Sequence, residues 1–315
     1  MTEAAHSLMA AAAAAAGGTD MEAIFREMVR PLTKNFHNKT YAAIDPSRPE
    51  LSTRGKTAVV AGASPDSIGA ACAMSLAKSG IDAVALLARN EGSLNQTKAA
   101  IEALGLGTRV VVYAVDMADA AAVKKALADF AGTTDKKKID ILVASAGYLP
   151  DLESIEDSDA DDWWKGFEVN VRGRFNLLRA FGPVAAEGGV VIHITTAAIH
   201  MGYMPGYSGY RASNSAATKM FEYFGNEHPE LRVVQVHPGL IRTPLTHKFA
   251  PSSEGIPWDD AELSGDFVNW ATSSEAAFLK DRLVHANWDV EELMQMKEAV
   301  EKDPFLFVVT LKGWA

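Results

Sequence analysis

Thr57-Ala-Val-Val-Ala61-Gly62-Ala63-Ser64-Pro65-Asp66-Ser67-Ile68-Gly69 is the stretch whose reading decides the fold. Its first five residues form a short apolar run, the pattern of a strand buried on both faces. A glycine-bearing loop follows at once, and the spacing of apolar residues predicts a helix over Ile68–Lys78. The strand before and the helix after are what give such a loop meaning. Gly62 permits a tight turn, and Gly69 permits close packing of helix on strand. The free N–H groups at Ile68 carry the partial positive charge of a helix start and suit a pyrophosphate. Ser64 lies within the loop. Ser67 stands where the usual pattern has its middle glycine, and the loop is one residue longer. Taken alone, the stretch also reads as a plain βα turn.

Outward from it the same rhythm repeats. Strands are expected over Ala83–Ala88, 109–115, Ile139–Ala144, 190–195 and 231–236. Helices are expected up to 104, up to 130, over 163–181 and over 209–226. Short apolar strands alternating with helices mean parallel βαβ units, and right-handed crossovers turn them into a doubly wound α/β sheet. The expected organisation is an N-terminal extension over 1–50, a core over 51–243, a lid segment over 244–266 and closing elements over 267–315. In the extension, the first twenty or so residues are expected to be a disordered or frayed alanine-rich tail. A short amphipathic helix follows over 21–32, then an extended arm over 40–49. The segment 244–266 is rich in Pro, Ser, Gly and Asp, the character of a substrate lid or of a plain surface loop. After it come a helix over 267–280, a last strand over 283–290 and a helix to 302.

Composition narrows the function classes. Of 315 residues, 48% are hydrophobic and 22% charged, as in ordinary globular proteins. The net charge of -10 disfavours a nucleic-acid partner. One cysteine, Cys72, excludes an internal disulfide and a Cys-rich metal site. The eight histidines show no paired ligand spacing, so no metal is expected. No apolar run reaches the roughly 18 residues of a membrane helix, and the alanine run lacks the basic flank of a signal peptide. A cytoplasmic protein without a membrane partner is expected. The second strand ends at Ala88-Arg89-Asn90. An acidic residue there would accept from the ribose of NAD, whereas Arg89 can pair with a 2′-phosphate, which favours NADP(H) over NAD(H).

Further motifs follow in a fixed order: Asp116-Met117, Ala144-Ser145-Ala146-Gly147, Val169-Asn170-Val171, Ile194-Thr195-Thr196, Tyr210-Arg211-Ala212-Ser213-Asn214, and His237-Pro238-Gly239-Leu240-Ile241-Arg242-Thr243. With Gly62 and Gly69 this order resembles the short-chain dehydrogenase/reductase family, with its Rossmann domain, over about residues 52–245. The tail from Arg282 and the arm from Tyr41 resemble a fungal branch found with secondary-metabolite pathways. The resemblance implies that Asp116 and Met117 sit at the adenine, that Gly147 lines the nicotinamide side and that Ser145 and Ala146 also bind the cofactor. It implies that Asn170 holds a water in a proton relay, that Thr196 bonds the substrate carbonyl and that Tyr210 donates the proton. Pro238, Gly239 and Thr243 would flank the carboxamide. Family habit implies a homodimer or homotetramer built on the two long helices.

The sequence departs from the family where its Tyr-x-x-x-Lys reads Tyr210-x-x-x-Asn214. The i, i+4 spacing puts both side chains on one helix face. Asn214 can bond a ribose hydroxyl but carries no charge, so Tyr210 is expected to lack its usual cation. Lys219, nine residues on, lies half a helix circumference away. Ser67, Ser145, Thr196 and Ala61 are further departures. A phenol near pKa 10 is protonated at neutral pH, so ketone reduction survives this loss better than alcohol oxidation. Three readings stay open: an NADP(H)-dependent reductase of a polyketide- or terpenoid-like ketone, a non-redox cyclase, isomerase or dehydratase, and a non-catalytic binding protein. Tyr148, His200, Tyr203 and Trp258 are the candidate substrate contacts, and Phe249, Met201 and Met204 suggest an apolar, aromatic or polycyclic ligand.

Overall fold

The computed structural model describes residues 32–248 and 258–311. The expected alanine-rich tail and nearly all of the helix over 21–32 lie outside them, as does Phe249. Seven parallel strands form one sheet in the order β3-β2-β1-β4-β5-β6-β7. They are β1 (Thr57–Ala61), β2 (Ala83–Ala88), β3 (Arg109–Ala114), β4 (Ile139–Ala144), β5 (Ala185–Ile194), β6 (Arg232–His237) and β7 (Arg282–His285). The crossover helices are α1 (Ile68–Lys78), α2 (Glu91–Glu102), α3 (Ala120–Gly132), α4 (Ala160–Phe167) continuing through a turn into α5 (Arg174–Phe181), and α6 (Ser208–Glu227). The closing helices are α7 (Ala261–Ala271), α8 (Val290–Gln295) and α9 (Lys297–Lys302). This is the doubly wound sheet the sequence predicts.

Strand alternation explains why both faces are covered. Ala58 and Val60 point to the face packed with Leu76 of α1 and Phe267 and Trp270 of α7. Val59 and Ala61 point to the other, against Leu127 and Phe130 of α3, Phe181 of α5 and Phe221 of α6. Successive residues of a strand face opposite ways, so an unbroken apolar run needs a core on each side. The strand order reverses at β1 and β4, which splits the two halves of the sheet and opens a crevice at their carboxyl ends.

Four expectations are corrected. The arm over 40–49 is not extended: 3-10 turns at Ala42–Ile44 and Pro49–Leu51 bury Ile44 and Leu51 in the core. Tyr41 Oη accepts from the Val290 N–H at 2.9 Å, and Thr40 donates to Asp266 at 2.6 Å. From Thr33 onward the extension is therefore a strap across α7 and α8. The helix over 163–181 is interrupted by a π-helical turn at Glu168–Gly173. The helix over 267–280 starts earlier and ends at Ala271, because Thr272 and Ser273 turn their hydroxyls onto Asn269 and Glu275 backbone groups. Residues 261–266 consequently belong to α7, packed on α1, and not to a lid. The last strand ends at His285, where Trp288 N–H bonds back to His285 and Asp289 caps α8. Among the described residues no helix is long and apolar enough to cross a membrane.

Candidate active site

The crevice is a cleft of about 830 Å³ running from the β1–α1 loop to the head of α6. Gly62, Ser64, Ser67, Ile68, Arg89, Asp116, Met117, Ser145, Ala146 and Gly147 line it, with Tyr148, Thr196, Tyr210, Asn214, Pro238, Gly239 and Thr243. So the residues expected at the dinucleotide and at the proton donor share one cavity. Gly69 and Asn170 lie behind its wall.

The loop wall is shaped by close approach. Gly62 has φ +87°, and a Cβ there would stand 2.6 Å from the Ala146 backbone nitrogen. A Cβ on Gly69 would stand 2.4 Å from the Gly62 carbonyl oxygen. Ser67 is explained by its two bonds. Its hydroxyl accepts from Ala70 N–H at 3.0 Å and donates to the Gly62 carbonyl at 2.9 Å, capping α1 and tying the loop. That leaves the cradle of loop and helix start open towards the cleft. Arg89 is exposed at the rim and makes no side-chain hydrogen bond or ion pair with a described residue. Asp116 accepts from Ala118 N–H at 2.9 Å, which fixes the turn after β3. Gly239 has φ +94°, with Asp259 against it accepting from Leu240 N–H at 2.7 Å. A Cβ would fill the cradle at Gly62 and Gly69, so these residues fit a dinucleotide.

The opposite wall carries the chemistry. Tyr210, in the first turn of α6, and Thr196, after β5, both line the cleft, and the Thr196 hydroxyl accepts from the Ala198 N–H at 3.2 Å. Burial pushes the Tyr210 phenol above its ordinary pKa, while the charge of Arg174 and the nearby Thr196 hydroxyl pull the other way. The phenol is therefore the protonated, acidic form at neutral pH. Asn170 is fully buried. Its Oδ1 accepts from Tyr148 N–H at 2.8 Å, and its Nδ2 donates to the Tyr148 carbonyl at 2.8 Å and to Ser213 Oγ at 2.9 Å. Both amide hydrogens are thus engaged by protein. The side chain fixes the loop after β4. The π-helical turn is what swings this residue inward; such turns collect at functional sites.

The same wall holds a buried cation that sequence reasoning did not find. Arg174 opens α5 and is buried at 4% exposure on the cleft wall. Its Nη1 donates to Asn214 Oδ1 at 2.9 Å and its Nη2 to the Ile194 carbonyl at 3.2 Å. Burial draws its pKa down to about 10, which leaves it charged at neutral pH. The available signal was its place four residues after Asn170 in a helical stretch, which predicts a shared face.

Three substrate candidates are displaced. Tyr203 is 72% exposed because the loop before α6 alternates. Arg211 holds the Met201 and Gly202 carbonyls, so Met201 and Met204 face the cleft and Tyr203 faces out. Trp258 lies outside the cleft lining, under the guanidinium of Arg242 at 5.6 Å. His200 ends the 3-10 turn Ala197–Ile199 and sits beside the His285 ring at 5.4 Å, not at the cleft wall. Tyr148 does line the cleft. Its hydroxyl donates to Asp162, and its ring lies between the ammonium groups of Lys165 and Lys248, at 5.1 and 4.9 Å. Of the expected lid, Pro244, Leu245 and Thr246 line the cleft, and Lys248 anchors them through Asp151 at 2.9 Å.

The comparisons agree with this geometry. The family model described as short chain dehydrogenase matches residues 56–254. A short chain dehydrogenase/reductase of Aspergillus aculeatus, AacuD, is 31% identical over 91% of this chain and 98% of its own length. One from Claviceps purpurea is 30% identical over 89% of this chain and 93% of its own. Among solved structures, the Escherichia coli oxidoreductase yciK superposes with a TM-score of 0.68 at 22% identity, covering 76% of this chain and 97% of that one. A Shigella flexneri short chain dehydrogenase solved with NADP gives 0.68 at 22%, over 76% and 99%.

Proposed function

Because this chain belongs to the short-chain dehydrogenase family, we propose that it is an NADP(H)-dependent reductase of an apolar, aromatic or polycyclic ketone of the secondary-metabolite kind, with Tyr210 as proton donor. One observation carries the reading: Tyr210 and Thr196 line, together with Asn214, a cleft that begins at the open N-terminus of α1. The loop Ser64–Ile68 would hold the pyrophosphate, Arg89 the 2′-phosphate, Asp116 and Met117 the adenine, and Gly147, Pro238, Gly239 and Thr243 the nicotinamide. The bound cofactor supplies a hydride. The protein's own part is to place the carbonyl oxygen between Thr196 and Tyr210 and to pass it the phenol proton. The O–H electron pair stays on Tyr210, which is reprotonated from solvent. Met201, Met204, Leu149 and Leu152 on the far wall favour an apolar substrate body.

The test mixes the full-length protein with NADPH and a panel of aromatic ketones and quinones and follows the absorbance of the reduced cofactor. Tyr210→Phe should lower turnover by roughly 100-fold or more, the range of general-acid catalysis. NADPH binding without oxidation across the panel would favour a non-redox reaction in the same cleft. Full turnover by Tyr210→Phe would remove the tyrosine from the chemistry.

A further inference from the structure

Arg174 is a buried cation with no acidic partner among the described residues. Its bonds go to two neutral oxygens, Asn214 Oδ1 and the Ile194 carbonyl, and its buried Nε has no hydrogen-bond partner. A buried charge without a counter-charge is costly, and such groups collect at functional sites. Folding alone gives no return for it here, since an apolar side chain would fill the same wall more cheaply.

We propose that Arg174 is a positioning residue of the reaction, supplying from α5 the positive charge that the Tyr-x-x-x-Lys pattern carries on α6, with Asn214 as its anchor on that helix. The inference rests on the reading of Tyr210 as proton donor. A guanidinium only donates, so Asn214 must turn Oδ1 towards Arg174. Its Nδ2 then donates to the Tyr210 carbonyl at 2.9 Å, so one amide ties the cation to the turn that bears the tyrosine. As the proton leaves Tyr210 Oη for the ketone oxygen, negative charge grows on the phenolate. A fixed cation in a dry wall stabilises that charge without rearranging. The titratable groups facing Tyr210 are Arg174 and Tyr207, and Arg174 also faces His193 on β5. Arg174 is the one charged group in that set. A lysine at 214 would set a second cation against the guanidinium, so a neutral acceptor at 214 suits Arg174.

The test uses Arg174→Met, Arg174→Lys, Asn214→Lys and the double variant Arg174→Met with Asn214→Lys. The first readout needs neither cofactor nor substrate: the Tyr210 phenol is titrated by ring-labelled tyrosine NMR, its signal assigned by Tyr210→Phe. Arg174→Met should raise the midpoint by about one pH unit or more, while Arg174→Lys should hold it close to wild type. In turnover, Arg174→Met should lose about 10- to 100-fold in kcat, with a smaller change in KM for NADPH. Asn214→Lys alone should lose rate, and the double variant should regain it and restore the midpoint. If Arg174→Met does not fold, the comparison of Arg174→Lys with the double variant still decides, since each keeps one cation at a different place. An unmoved phenol midpoint in Arg174→Met, or a double variant with no recovery over Asn214→Lys, overturns the inference. Full turnover by Tyr210→Phe would overturn the reading of the tyrosine instead, and the cofactor-free titration separates the two failures.

Discussion

On the loop wall of the cleft, the bonds that shape the turn run between near neighbours. Ser67 reaches Gly62 and Ala70, Asn90 reaches Ser93, and Asp116 reaches Ala118. On the tyrosine wall the bonds cross the fold. Arg174 meets Asn214 forty residues on and the Ile194 carbonyl, and Asn170 meets Tyr148 and Ser213. Both walls face one cavity. The difference teaches where tolerance lies. The loop wall is set by backbone geometry, so a single methyl can ruin it. The tyrosine wall is set by side chains on separate elements, so a function can be supplied from one element or another.

Substitution at the close approach should break the loop wall most severely. Gly69→Ala places a Cβ 2.4 Å from a backbone carbonyl oxygen that has no rotamer to yield. We expect a loss of about 3 kcal/mol or more in stability together with loss of NADPH affinity, read by denaturant titration and cofactor fluorescence. A stable variant with normal affinity would show that α1 can slide away from β1.

Acid should sharpen the contrast at intermediate cost. His193, His237 and His285 lie on β5, β6 and β7, whereas residues 57–114 contain no histidine. Burial holds all three below the ordinary value, His237 at about 3. Their folded pKa values are depressed, so below about pH 6.5 the unfolded chain takes up protons that the fold does not. The stability they confer is present above pH 6.5 and drains as pH falls towards 3. That amounts to up to about 2 kcal/mol per histidine by pH 5. Hydrogen exchange at pH 5 should show the amides of β5–β7 opening before those of β1–β3. Uniform opening would count against this account.

The smallest effect belongs to Ser67→Ala, which removes the cap of α1. It should cost about 1 kcal/mol, read from the denaturant midpoint, and weaken cofactor binding only a few-fold, since Gly62 and Gly69 keep the cradle. A loss as large as that of Gly69→Ala would mean that the serine, and not the glycines, holds the loop.

The fold was legible along the chain. The apolar run 57–61 needs a core on both sides, and its repetition with helices between gives the doubly wound sheet, while Gly62 and Gly69 sit where only hydrogen fits. Tyr210, Thr196 and Asn214 were legible too, through motifs in the order the family resemblance carries, and i, i+4 spacing put Tyr210 and Asn214 on one helix face. Local pattern could not place what depends on contact. Tyr203 turns outward because Arg211 pins the carbonyls of its loop, and Trp258 follows Arg242 away from the cleft. The strap at Ile44 and Leu51 is buried because α7 and α8 lie above it. Read in order, Tyr210-x-x-x-Asn214 lacks a cation. In space it has one, because a π-helical turn and the pairing of β5 with its neighbours bring Arg174 to Asn214, and charge acts through distance in space and not along the chain.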